Sequence, residues 1–193
     1  MALRETFRPK SGLIMSACVL ILSLLFIWSA FLTTGTIELA TTICWAIAVN
    51  AAAYLILVRP KVIFTDEAII LVNPIQEITI GWGDITGVDA KWCMTVDTKV
   101  GRFNAWAAPT SSSQRSKKIH VDELKSMAAS GQGSIAAAHS PRSDSGIALH
   151  MTLIRLNNFT GTSAQFVIRR NFIGVTILSI ALILAAGLSA ISF

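Results

Sequence analysis

Three long stretches without a charged residue constrain this chain more than any other feature. Residues 11–37, 39–58 and 171–193 contain no Asp, Glu, Lys or Arg. A helix rises about 1.5 Å per residue, so roughly 20 apolar residues cross a hydrocarbon core about 30 Å thick. Each stretch is long enough, and the sequence predicts transmembrane helices over 12–33, 37–58 and 171–193. Charged residues are 14% of the 193, against about 25% in a soluble domain. A tail over 1–11 and one domain between the second and third helices use up the rest of the chain.

The first span follows Arg4, Arg8 and Lys10, as a signal peptide would. Its apolar run is longer than the roughly 7–15 residues of a signal core, and a second span comes almost at once, so it reads as a retained helix. Lys and Arg near the ends of spans set orientation. Arg4, Arg8 and Lys10 precede the first helix, Arg59 and Lys61 follow the second, and Arg169 and Arg170 precede the third, whereas residues 34–38 have none. Every basic cluster falls on one side. The expectation is a multi-pass plasma (inner) membrane protein with its N-terminus and domain cytoplasmic and its C-terminus at the outer face.

Apart from Glu38 at the start of the second, no span contains a Lys, Arg, Asp, Glu or His. Pumps and carriers place carboxylates, basic groups or histidines inside the membrane, which argues against this chain acting alone as one. Asn50 is the strongly polar residue well inside the second span, where it can bond to a neighbouring helix. The third span carries Ala181, Ala185, Ala186, Gly187 and Ala190. Small residues let helix backbones approach closely, so Asn50 and these five are the predicted helix-docking positions. Arg59, Lys61, Arg169 and Arg170 are the predicted membrane-surface residues, set to meet anionic lipid headgroups.

Between the spans, Arg59-Pro60 ends the second helix. Short β-rich runs then alternate with turn signals: 61–65, 68–72, 75–80, 85–90, 91–98 and 102–107. Asp66-Glu67, Asn73-Pro74 and Gly101 mark the turns. The predicted core is Val62, Phe64, Ile70, Val72, Ile78, Ile80, Ile85, Val88, Trp92, Met94, Val96, Phe103 and Trp106. Residues 110–145 are rich in Ser, Ala and Gly and read as a flexible loop. A capping helix follows within 146–170, started by Asp144 or Ser145, with Ile147, Met151, Ile154 and Leu156 near one face.

Several of these segments resemble one family. Arg59-Pro60-Lys61-Val62-Ile63-Phe64-Thr65-Asp66-Glu67 resembles the membrane exit and first hairpin of small actinobacterial membrane proteins that carry a bacterial PH-like domain, the low-molecular-weight protein antigen 6 type. Val72-Asn73-Pro74 and Ile80-Gly81-Trp82-Gly83-Asp84-Ile85-Thr86-Gly87-Val88 are similar to its next two strands, and Trp106-Ala107-Ala108-Pro109 to the end of its sheet segment. The resemblance covers roughly residues 51–109 and implies a PH-like domain over 59–109. The third membrane helix departs from the family's N-terminal pair. In layout the chain also resembles the small accessory subunits of actinobacterial respiratory supercomplexes, which join a cytochrome bcc complex to an aa3 oxidase. The implied fold is three transmembrane helices plus a mainly β, PH-like, partly open barrel with a C-terminal capping helix.

The sequence carries no nucleophile elbow, phosphate-binding loop or dinucleotide fingerprint. His120, His139 and His150 are far apart, Cys18, Cys44 and Cys93 have no ligand spacing, and Asp84 and Asp89 read as a solvated strand edge. No catalytic, cofactor or metal residue is expected. The part between Arg59 and Arg170 holds 13 basic and 9 acidic residues. No basic–aromatic platform for nucleic acid appears in it. The expected function is a non-catalytic accessory or scaffold subunit that docks through its helices to a larger membrane complex. The alternative is a stand-alone PH-like protein that binds anionic lipid or envelope-related partners.

Overall fold

The chain's two compact units follow the division between charged and uncharged sequence. A computed structural model describes residues 4–89, 93–109 and 144–191. Trp92 and most of the predicted loop, with Arg115, Lys117, Lys118, His120 and His139, lie outside the described residues.

The helical unit contains α1 (Lys10–Thr33), α2 (Thr36–Ala53) and α4 (Phe172–Ile191). The last turn after α2, Tyr54–Val58, widens into a π-helix, and Arg59 N–H reaches back to Tyr54 C=O at 2.8 Å. Pro60 supplies no N–H to continue it. With that turn included, all three helices are long and apolar enough to cross a membrane. α2 packs on both α1 and α4. Leu55 lies against Gly174, and Trp45 bonds to Ser189. As Leu55 falls late in the second helix and Gly174 early in α4, the two helices run antiparallel.

The β unit begins with a strand that the sequence reading leaves in the tail: β1 (Glu5–Phe7) pairs antiparallel with β2 (Lys61–Phe64). β3 (Ala68–Val72), β4 (Gln76–Gly81) and β8 (Val167–Arg170) complete a five-stranded sheet in the order β1-β2-β3-β4-β8. β5 (Ile85–Asp89), β6 (Cys93–Thr98) and β7 (Arg102–Pro109) form a second, three-stranded sheet. The two sheets do not close into a barrel. α3 (Asp144–Asn157) packs on β5, β6 and β7.

Register decides which apolar residues go inside. Val62 faces Leu71 and Phe64 faces Ile69 across β2–β3, while Leu71 faces Ile78 and Ile69 faces Ile80 across β3–β4. Directly opposed residues share one face of a sheet, so these six side chains form one buried layer. This corrects the expected inward position of Ile70 but not the expected burial of Val72. Val72 is buried but stands outside the central cluster, and Ile70 is half-buried. A run such as Ala68-Ile69-Ile70-Leu71-Val72 is apolar at every position, so alternation cannot set its phase.

Trp106 is the second correction. It is 56% exposed, while Ala105 and Ala107 are buried on either side of it. Phe103 and Trp106 are three apart on one strand, so they point to opposite faces. Phe103 takes the inner one, facing Val96 and meeting Phe166 at 5.4 Å between rings. α3 meets expectation in part, since Met151 and Leu156 pack against the core. Ala148, Leu149 and Thr152 are buried, while Ile147 and Ile154 are exposed. Ala148 and Thr152 are small enough to seat the helix close to Met94, whose sulfur lies 3.8 Å from Thr152 Oγ1.

Candidate membrane-surface and helix-packing site

α2 supplies one polar donor to each neighbouring helix. Asn50 Nδ2 donates to Ser23 Oγ of α1 at 2.7 Å and to Ala46 C=O at 2.8 Å. Trp45 Nε1 donates to Ser189 Oγ of α4 at 3.1 Å. Each serine hydroxyl in turn donates a hydrogen bond to a carbonyl one turn earlier, Ser23 to Val19 and Ser189 to Ala185, both at 2.8 Å. Both crossings therefore end on a backbone acceptor, as a low-dielectric setting demands. Asn50 does bridge helices, and its partner is within the chain.

The five small residues of α4 divide. Ala181 and Ala185 are buried inside the helical unit, whereas Ala186, Gly187 and Ala190 are exposed. Gly187 has no neighbour within 4 Å of where a Cβ would stand. The first two are occupied by packing within this chain, which leaves only the other three open to a partner. Residues 181 and 185 lie on one helical face and 186 and 190 on another, because a 3.6-residue turn separates them by about 100° per residue.

A polar junction closes one end of this unit. Pro74 C=O accepts from Arg59 Nη1 at 3.0 Å and from Asn171 Nδ2 at 3.3 Å. Asn171 N–H donates to Ile75 C=O at 2.6 Å. Asn171 Oδ1 accepts from Gly174 N–H at 3.3 Å and so caps α4 at its third residue. Arg59 is thus half-buried and engaged. Lys61 is half-buried in β2, and Arg169 and Arg170 are exposed on the edge strand β8. Sequence reasoning missed Ser23, Ser189 and Asn171 as packing residues, whereas Trp45 was read from the sequence as an interfacial or packing aromatic. The Asn171-x-x-Gly174 spacing ahead of an apolar run was a readable cap signal.

In the β unit, Arg155 is a further residue that the sequence reading passed over. Its guanidinium lies 3.0 Å from Glu5 and 3.8 Å from Asp66, and its side chain is 19% exposed. It borders a cleft of about 360 Å³ with Thr65, Trp82, Asn158 and Thr160. Two carboxylates already meet that cation, so the cleft offers little to a phosphate. The Trp82 indole donates to Thr65 C=O at 3.1 Å. Gly81 carries no Cβ because one would run into Ala164 C=O and Ser163 Oγ, where the segment after α3 crosses it. Among the described residues no group of three or more His, Cys, Asp or Glu is placed to hold a metal. His150 is exposed, Asp84 and Asp89 are half-buried, and the three cysteines are free. Compared with protein-family models, curated proteins and solved structures, the chain matches none.

Proposed function

We propose that this chain is a non-catalytic integral membrane subunit that docks through its helices to a larger membrane complex and presents its β unit to the cytoplasm. The observation that carries the reading is how the helical unit spends its polar groups. Asn50 and Trp45 are used to hold α1, α2 and α4 together, while large apolar side chains such as Phe26, Trp28, Ile180 and Ile183 stay exposed. Such a unit suits lipid and apolar protein neighbours and offers no relay of ionisable groups for transport. Ala186, Gly187 and Ala190 are the open small-residue face on α4 for a partner helix.

The specific proposal is an accessory subunit of an actinobacterial bcc–aa3 respiratory supercomplex, with the β unit as a PH-like domain. The packing of α3 on one antiparallel sheet supports the PH-like reading, and the basic flanks support a cytoplasmic N-terminus and β unit. The second reading, a stand-alone protein that binds anionic lipid, is favoured by the exposed Arg169 and Arg170.

Purification in mild detergent from the native membrane tests this. A stable large complex that is lost when Ala186, Gly187 and Ala190 are changed together to Leu supports docking. Those changes keep the span apolar and leave Ala181 and Ala185 in place. A lone protein that floats with anionic vesicles would favour the second reading instead.

A further inference from the structure

Pro74–Gln76 joins two strands of the β unit, yet it belongs to the helical unit. The bonds from Arg59 and Asn171 hold it there. Arg59 directly follows the second helix and Asn171 directly precedes α4. Those helices are antiparallel, so both residues mark the same end of the apolar unit. The Pro74–Ile75 peptide therefore sits at the level where two spans stop together.

At that level three large apolar side chains are exposed. Ile75 is 64% exposed, Phe172 70% and Ile173 77%. Leaving an Ile in water forgoes about 1.5–3 kcal/mol of burial, an odd choice for the tip of a turn. The backbone points the same way. Pro74 has no N–H to satisfy, its carbonyl takes two donors, and the Ile75 carbonyl takes a third. Satisfied carbonyls are what a non-helical segment needs at the edge of a hydrocarbon layer. Arg170, exposed next to Asn171, adds a cation for the phosphate level.

We propose that the β3–β4 turn is a lipid-binding wedge: Ile75, with Phe172 and Ile173, inserts at the acyl–headgroup boundary of a phospholipid bilayer. This rests on the membrane reading above and adds to it a contact from a segment that is not part of any span. Its role is to fix the depth of this end of the helical unit, as interfacial apolar anchors do.

The test uses the full chain in vesicles of equal parts phosphatidylcholine and phosphatidylglycerol, with Cys18, Cys44 and Cys93 changed to Ala. A fluorophore is attached at Ile75→Cys or, separately, at Ile183→Cys near the middle of α4. Lipids with a nitroxide near the headgroup or near the acyl terminus quench by depth. The Ile75 probe is expected to be quenched more by the shallow label, and the Ile183 probe more by the deep one. Ile183 quenched by the deep label, with Ile75 quenched by aqueous iodide and by neither lipid, would overturn the wedge and leave the span standing. An Ile183 probe that no lipid quenches would overturn both.

Discussion

Asn50 of α2 and Ser23 of α1 are joined by a 2.7 Å hydrogen bond between two apolar helices. Such bonds in membranes average about 0.6 kcal/mol and reach about 1.7, because a freed Asn finds other partners. A double-mutant cycle with Asn50→Leu and Ser23→Ala, followed by unfolding in mixed micelles, should give a coupling of about 0.5–1.5 kcal/mol. A coupling indistinguishable from zero would mean that the α1–α2 hairpin is held by packing alone.

Two glycines should respond in opposite ways to alanine. A Cβ at Gly12 would run into the Leu57 carbonyl oxygen in the π-turn, where backbone has little room to yield. Gly12→Ala is expected to cost about 1–3 kcal/mol of stability, as overpacking does. At Gly187 the space is open, so Gly187→Ala should be neutral or gain up to about 1 kcal/mol from helix propensity. Thermal melts of both variants in detergent would check the pair. A Gly12→Ala protein that melts with wild type would show that α1 does not approach Leu57 so closely.

Asn73 stitches the two sheets. Its Nδ2 donates to Asn104 C=O at 2.9 Å, and its Oδ1 accepts from Trp106 N–H at 3.0 Å. One buried side chain thus stands in for a strand residue against β7. Asn73→Ala leaves both backbone groups without these partners and should cost about 2–4 kcal/mol. Amide exchange at Trp106 should speed up more than at Val96, within the same sheet. Unchanged protection of Trp106 would contradict the stitch.

Asp97 and Arg102 form a two-bond ion pair beside the β6–β7 turn, with Arg102 Nη2 3.1 Å from Asp97 Oδ2. The hydrogen bond from Arg102 holds the Asp97 carboxyl below its ordinary range. Partial burial opposes this, and the Arg102 charge adds to it. A depressed folded pKa stabilises above the unfolded value, about 3.9, and that stability is lost as pH falls through the folded pKa. Arg102 is 66% exposed and Asp97 31%, so solvent screens the pair and Asp97→Asn should cost less than about 1 kcal/mol at neutral pH. The difference from wild type should shrink as the pH is lowered below about 3.9. A carboxyl titration by NMR that placed Asp97 above the ordinary range would be inconsistent with the pair.

Much of this architecture was legible in the chain. The helices begin and end within two residues of the uncharged runs at most of their ends, because an apolar run of that length leaves few other solutions. The hairpins around Asp66-Glu67 and Gly101 follow their turn residues. β1 was not legible: three residues carry no periodicity, and Glu5-Thr6-Phe7 becomes a strand only because β2 presents an open edge. β8 is the same case at the other edge of that sheet, with Val167–Arg170 exposed throughout.

The sequence by itself determined the two-part character of this protein, since the absence of charge over three runs is a one-dimensional property that needs no partner to read. Tertiary structure decided which small residues are spent. Ala181 and Ala186 are the same residue in the same helix, yet the first is buried within the chain and the second is open. It also decided the inward phase of β3 and the outward turn of Trp106. These are matters of register and facing, and they are set by neighbours far away in the chain, where local pattern carries no information.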